Sequence, residues 1–249
     1  MAKFTGSDDL QGAEFRGVNL SGARFVACDL SGAVVRGVDV TGAEIDAPWL
    51  ADGGASFFVN GIDVVPYVEA ELDRRFPGRG DKFAREPEKL REAFAALHRT
   101  WAGTLERVAA MPPGTVDVSV ADEWTFTQTL RHLILATDMW FGRGVLEKEQ
   151  PFHPLGLIDR GSREGFDFSV FRTDEPTYAE VVEARAGRVA MVRDFLATAT
   201  VDVLAETRKN PHNPEHAETT LSCVHVILEE EWEHHRYAVR DLDAIEARG

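Results

Sequence analysis

Lysine and cysteine are both scarce in this chain of 249 residues. Only five of its 27 basic residues are lysine and the other 22 are arginine, a bias that suggests a GC-rich bacterial genome. The two cysteines, Cys28 and Cys223, lie far apart and in unlike contexts. This usage argues against a disulfide framework and favours a reducing cytoplasm.

Long apolar runs and an excess of positive charge are also missing. No stretch of eighteen apolar residues occurs, so the sequence predicts no membrane span. The start, MAKFTGSDDL, lacks the basic and apolar regions of a signal peptide. A net charge of −15 argues against nucleic-acid and membrane-surface partners, because both bind clustered positive charge. We therefore expect a folded cytoplasmic protein whose partner is a small-molecule substrate.

A repeat of five residues occupies the beginning of the chain. Large apolar residues recur at every fifth position from Leu10 to Ile45, a small residue stands two positions before each of them from Phe15 onward, and glycine usually stands two positions after. A period of five fits neither an α-helix nor a flat strand. It fits a square coil in which each unit forms one side and glycine turns the corner. Cys28 occupies one of the small inward positions, which predicts a packing role.

These units resemble the pentapeptide-repeat family over residues 8–46. The resemblance implies a right-handed quadrilateral β-helix of about two coils, which is short for a stack stabilised by its neighbours. We therefore expect it to dock on the rest of the chain, as an accessory element or as the interface of a homodimer. Residues 1–50 carry seven acids and four bases, a net charge of −3 that is too mild for mimicry of DNA.

The remainder of the chain predicts a connector and an all-α domain. We assign residues 1–50 to the repeat, 51–87 to a connector with a short helix, and 88–249 to a four-helix bundle. Helical periodicity predicts four helices: from about Glu88 to Met111, from Thr125 to Glu147, from Thr177 onward, and from Thr220 to the C-terminus. Thr125 with Gln128 and Thr177 with Glu180 are predicted capping boxes.

The connection between the second and third of these helices is long, from about Lys148 to Pro176. A short connection would make the two helices antiparallel, whereas one of this length permits a crossover and a parallel pair.

The fourth helix carries charge into its apolar face. A projection at 100° per residue puts six residues in one stripe: Val224, Leu228, Glu231, His235, Ala238 and Leu242. Glu231 and His235 are its polar members, and a buried carboxylate needs a partner or a proton. Glu231 and His235 can pair with each other, and in that interpretation the two residues have only a structural role.

His132 on the second helix supports a different interpretation. It is surrounded in sequence by leucine, isoleucine and alanine, so it also faces inward or nearly so. Two imidazoles and a carboxylate from His132, Glu231 and His235 would suit a divalent transition metal. Three protein ligands leave coordination positions open, which is typical of reactive sites. A buried polar network made of the same residues is the alternative.

The segments EWTFTQTLRHL and EEEWEHHRYAVRDL resemble the DinB-like (DinB/YfiT) superfamily of metal-binding four-helix bundles. In that family a tryptophan precedes a ligand histidine by eight residues, as Trp124 precedes His132 here. Two further ligands, commonly both histidine, lie four residues apart on the last helix, and we match them to Glu231 and His235, with His234 and Arg236 in flanking places. A glutamate there departs from the pattern and leaves zinc, nickel and iron all open.

The resemblance also implies an activity. Relatives include thiol S-transferases that use mycothiol or bacillithiol, a mycothiol-dependent isomerase, and a domain of iron enzymes that make ergothioneine. We predict that this protein binds a divalent metal and a low-molecular-weight thiol, mycothiol on the evidence of the arginine-rich composition, and transfers the thiol to a small electrophile. The alternatives are a non-haem iron enzyme with the same ligands and a non-enzymatic interaction or scaffold protein.

The remaining histidines and Cys223 are predicted to play structural or surface roles. We place His225 at a boundary between helices, His153 in the long connection, and His212 and His216 at the surface. Cys223 is expected to pack as a small apolar residue.

Overall fold

The computed structural model describes residues 3–158 and 166–248. Its backbone divides into two compact units, Met1–Asp46 and Ala47–Gly249. The repeat predicted from the sequence falls within the first unit. The connector and the helices fall within the second.

The repeat unit is built from turns that recur every ten residues, which is two sequence units. The N–H of Ala13 donates to the carbonyl of Leu10 at 3.0 Å, and Gly12 between them has a φ of 73°. A positive φ at the third turn position is what a type II turn requires of glycine. Equivalent bonds form at Ala23, Ala33 and Ala43.

An acidic or amide side chain immediately precedes each of these turns. Oδ1 of Asp9 accepts from the N–H of Gln11 at 3.1 Å, and Oδ1 of Asn19 accepts from that of Ser21 at 2.9 Å. Asp29 and Asp39 repeat the contact. These short side chains supply acceptors that the extended backbone lacks at the corner.

The large apolar residues of the repeat keep much of their surface exposed, from 44% at Leu10 to 70% at Ile45. The pentapeptide pattern is therefore regular in the backbone without enclosing a core of its own. The quadrilateral β-helix stays a prediction.

The second unit begins with a small hairpin and a short helix. Strands β1 (Phe58–Val59) and β2 (Ile62–Asp63) pair antiparallel, and helix α1 (Val65–Arg75) follows with a proline in its first turn. Four long helices dominate the remainder. These are α2 (Pro87–Ala110), α3 (Phe126–Thr137), α4 (Tyr178–Thr198) and α6 (Thr220–Glu246).

Shorter elements complete the unit. Helix α3 continues as a π-helical segment, Asp138–Val145. Helix α5 (Val201–Ala205) and an antiparallel hairpin of β3 (Thr207–Lys209) and β4 (Ala217–Thr219) join α4 to α6. The helical character predicted for this part of the chain is confirmed.

The four long helices share one apolar core. Helix α3 packs against α4 and α6, and α2 packs against the same two helices. Side chains that lose all their exposure come from several helices, among them Leu97, Leu130, Val181 and Leu228. The two capping boxes predicted from the sequence, at Thr125 and Thr177, are both present. Within the described residues, no helix combines the length and apolar content needed to cross a membrane.

The connection from α3 to α4 is attached to α3 by buried polar groups. Residues 159–165 of this connection lie outside the described residues. The N–H of His153 donates to Oδ2 of the buried Asp138 at 2.8 Å. Arg131 donates through Nε to the carbonyl of Leu155 at 3.1 Å and through Nη1 to Glu175 at 2.7 Å. On the α4 side, Arg188 donates to Oδ1 of Asp138 at 3.0 Å.

Replacement of Thr177 by alanine should destabilise the second unit through loss of the α4 cap. Its hydroxyl accepts from the N–H of Glu180, and the Glu180 carboxylate accepts from the N–H of Thr177. We expect the free energy of unfolding to fall by about 1 kcal/mol, a typical cost for an N-cap. Urea denaturation measures it. Thr177→Ser, which keeps the acceptor, is the matched control, and equal losses in both variants would contradict the capping explanation.

Candidate metal centre

Helix α6 presents two adjacent polar faces to the rest of its unit. Glu231 and His235 point into the core and are 2% and 3% exposed. Glu230 and His234, one position earlier in each case, lie on a half-buried face. Neighbouring residues on a helix are separated by about 100°, so the two pairs meet different surroundings.

The half-buried face forms a three-residue cluster with α3. Nε2 of His132 lies 3.4 Å from Oε2 of Glu230, and Nε2 of His234 lies 3.3 Å from the same oxygen. One ligand atom from each residue lies within 4.8 Å of the other two. In a tetrahedral zinc site with bonds of 2.0–2.1 Å, donor atoms stand about 3.3 Å apart. The donor set and its spacing therefore fit a divalent transition metal.

Aromatic rings orient the two imidazoles. The ring of Trp124 lies 4.7 Å from that of His132 and stacks on that of His234 at 5.9 Å, measured between centroids. Tyr237 meets His234 edge-on at 5.9 Å. Nδ1 of His132 is buried without a hydrogen-bond partner among the described residues. Ligand imidazoles usually use this second nitrogen for orientation; for His132 the tilted contact with the Trp124 ring would take that role.

The pKa shifts of Glu230 and His234 favour ligation. Burial acts to raise the pKa of Glu230, but hydrogen bonds with His132 and His234 outweigh it and hold that pKa below its ordinary value. Burial lowers the pKa of His234, an effect that Glu230 partly offsets. A carboxylate and a neutral imidazole are the forms that bind a metal.

The interior face of α6 is neutralised by protein groups. Both oxygens of Glu231 accept from Arg185 of α4, at 2.7 and 2.6 Å. Nε2 of His235 lies 2.8 Å from the hydroxyl of Thr104 on α2. The carboxylate predicted to need a partner thus has one, and the partner is a guanidinium.

The structure does not assemble the predicted ligand set of His132, Glu231 and His235. His132 lies in the cluster, but Glu231 and His235 lie one position too far round α6, and Glu230 and His234 take their place. The burial predicted for Glu231 and His235 is correct. The most buried stripe of α6 contacts Arg185 and Thr104, whereas the stripe beside it faces α3.

A sequence signal for the observed set was present. Glu230 and His234 keep the four-residue spacing, and His235 and Arg236 then stand in the flanking places of the family pattern. No signal in the sequence pointed to Arg185 as the partner of Glu231.

The other candidate histidines lie apart from the cluster. Nε2 of His225 lies 2.8 Å from the carbonyl of Ala84, between α6 and the segment before α2. Nδ1 of His153 accepts from the N–H of Leu155 at 3.2 Å. The ring of His212 lies 5.5 Å from that of Trp140, and His216 is exposed.

Cys223 is wholly buried on α6. Burial raises the pKa of its thiol to about 11, so it stays protonated at neutral pH. A thiol that is both protonated and inaccessible packs as a small apolar group and does not act as a nucleophile.

Buried neutral histidines should make the stability depend on pH. Burial lowers the pKa of His98 and of His235 from 6.5 to about 4. The unfolded chain therefore binds more protons between these values, and the free energy of unfolding should fall as the pH drops from 6.5 toward 4. Urea titrations at several pH values measure the slope. His98→Gln, which cannot titrate, should reduce it by about one proton, and an unchanged slope would contradict this assignment.

Comparison with known protein families agrees with the motifs. A model of the DinB superfamily matches residues 96–238, and a model of pentapeptide repeats matches eight copies over residues 9–44. No curated protein and no solved structure matches the chain significantly. The DinB match spans more than half of the chain and contains all three residues of the cluster. The chain belongs to the DinB superfamily and carries pentapeptide repeats at its N-terminus.

Proposed function

We propose that His132, Glu230 and His234 bind a divalent transition metal and that the protein is a metal-dependent thiol S-transferase. The observation that carries the proposal is the convergence of two imidazoles and a carboxylate on one half-buried point. Side-chain exposures of 13%, 31% and 14% for the three residues leave this point open to solvent on one side. A structural site would be closed by a fourth protein ligand.

The roles of the chain's own residues follow from this geometry. His132 and His234 would supply imidazole nitrogen donors, and Glu230 would supply one negative charge. Trp124 covers one side of the imidazoles and limits the access of water. A bound divalent cation would contribute a lowered pKa for a thiol or a water at this point.

The thiol itself is proposed to come from outside the protein. Cys223 is buried and protonated, as described above, and Cys28 belongs to the repeat unit. Membership of the DinB superfamily and the arginine-rich composition support a low-molecular-weight thiol of the mycothiol type. The second substrate is a small electrophile. The cysteine usage supports the cytoplasm as the setting.

A non-haem iron enzyme is the second candidate. Two histidines and one carboxylate are the donor set of many iron(II) oxygenases. The cluster has this composition, although the glutamate differs from the one predicted. Oxygen-dependent turnover by the iron-loaded protein would favour this candidate over thiol transfer.

For the repeat unit, we propose a quadrilateral β-helix that serves as an accessory or homodimerisation element. The exposure of its large apolar residues supports a role in contact with another surface. A scaffold role for the whole protein would require the metal site to be without activity.

Metal content tests the site directly. Protein purified without a nickel column should contain nearly one divalent metal ion per chain. His234→Ala should weaken zinc binding by more than the about 10–100-fold that loss of an outer-sphere partner costs. The adjacent His235→Ala is the control and should retain the metal, with folding checked by circular dichroism. Metal loss in His235→Ala and retention in His234→Ala would contradict the assignment.

Thiol transfer is tested with model electrophiles. The metal-loaded protein should consume mycothiol in the presence of an aryl halide or an activated alkene, and mass spectrometry should detect the conjugate. We expect the rate to fall to the uncatalysed rate in Glu230→Gln, because this change removes the negative charge from the donor set. Bacillithiol and glutathione serve as comparison thiols. No consumption of any thiol above the uncatalysed rate would remove the transferase proposal and leave the metal site standing.

A further inference from the structure

Glu230 and Glu231 are adjacent on α6 but have different surroundings. Glu230 lies in the candidate metal centre. The Glu231 side chain is 3% exposed and receives two parallel hydrogen bonds from Arg185, whose side chain is 6% exposed. A bidentate pair of this kind constrains both distance and direction, because the guanidinium and the carboxylate are planar.

Contribution to stability is a weak explanation for this pair. Two buried charges lose their hydration, and well-packed apolar residues often stabilise a fold as much or more. The surroundings add to the cost. Nε2 of His98, Nε1 of Trp101 and Nδ1 of His235 are buried without a hydrogen-bond partner among the residues the structure describes. Geometry is the better explanation of what the pair provides.

The pair joins three helices at the level of the candidate metal centre. Arg185 belongs to α4 and Glu231 to α6, and the guanidinium lies over the ring of Trp101 of α2 at 4.8 Å. The pair therefore fixes the rotation of α6 about its own axis from the face adjacent to the one that carries Glu230 and His234.

Small rotations of α6 would disturb metal binding. At a helix radius of about 2.3 Å, a rotation of about 20° moves each Cα by roughly 0.8 Å. Metal sites tolerate deviations of about 0.2 Å in their bond lengths. Both candidate ligands on α6 would move together relative to His132 on α3. A contact that prevents such rotation consequently acts on the whole donor set.

We propose that Arg185 is a positioning residue for the metal centre: through Glu231 it sets the rotation of α6 that directs Glu230 and His234 toward His132. This inference rests on the proposed metal site. It assigns to the arginine no contact with the metal or with a substrate.

The test replaces the pair with apolar residues, Arg185→Met together with Glu231→Leu. This double variant leaves no unpaired buried charge and should stay folded, with thermal stability equal to the wild type or higher. Its affinity for zinc should nevertheless fall about 10–100-fold, the usual effect of losing outer-sphere support. The visible absorption of the cobalt(II)-loaded protein should also change, since it reports the coordination geometry. Wild-type affinity and an unchanged cobalt spectrum would overturn the proposal.

A second variant covers the case in which the double variant does not fold. Arg185→Lys keeps the positive charge beside Glu231 but loses the planar fork. It should weaken zinc binding and alter the cobalt spectrum in the same direction. A lysine variant that matches the wild type in both measurements would overturn the proposal as well.

Val224→Ala controls for general loosening of α6. Val224 is wholly buried on the same helix, seven residues before Glu231. Its truncation should lower thermal stability and leave the zinc affinity unchanged. If it weakens zinc binding as much as the double variant, positioning by Arg185 is disproved. Wild-type protein that binds no metal would instead refute the metal site itself, so the two failures are distinguishable.

Discussion

Helix α6 places ionisable side chains against the interior of the second unit, where an unpaired charge is unfavourable. Groups on α6 itself and on neighbouring helices neutralise these side chains, and the arrangement of the unit depends on those contacts. Two glutamates and two histidines occupy adjacent positions on its inner half. A guanidinium from α4 neutralises one glutamate, and two imidazoles hydrogen-bond the other. The first arrangement is closed and internal. The second is open on one side, and that difference separates a structural pair from a candidate site.

The closed pair and the open cluster also depend on each other through the helix. A helix transmits rotation along its length, so a contact on one face sets the direction of side chains on the next. Arg185 contacts Glu231 on the interior face, and Trp124 packs on His132 and His234 on the outer face. The ion pair with Arg185 orients the Glu231 side chain on the inner face. Aromatic packing on Trp124 orients the imidazoles of His132 and His234 on the outer face.

Much of this fold follows from local patterns, because the helices, their caps and the stripe of α6 all reflect short-range periodicity. Thr125 and Thr177 show that a cap can be identified from two residues three apart. The membership of the cluster depends on a distinction of about 100° between Glu230 and Glu231, and on contacts from other helices. Arg185 lies 46 residues before Glu231 in the sequence. The ion pair between Arg185 and Glu231 forms only when α4 and α6 pack together, so short-range sequence patterns do not predict it.

Each candidate ligand is adjacent in sequence to a residue that links two parts of the fold. Arg131 precedes His132 and bonds to the long connection, Glu231 follows Glu230 and bonds to α4, and His235 follows His234 and contacts α2. In each of these short segments, a candidate ligand and a residue that links two parts of the fold are therefore direct neighbours. Glu230 makes none of these three contacts, so a histidine or an aspartate at position 230 would alter the proposed donor set and leave the three contacts in place. A single substitution there would therefore change the metal preference expected of the site without altering the packing of the helices.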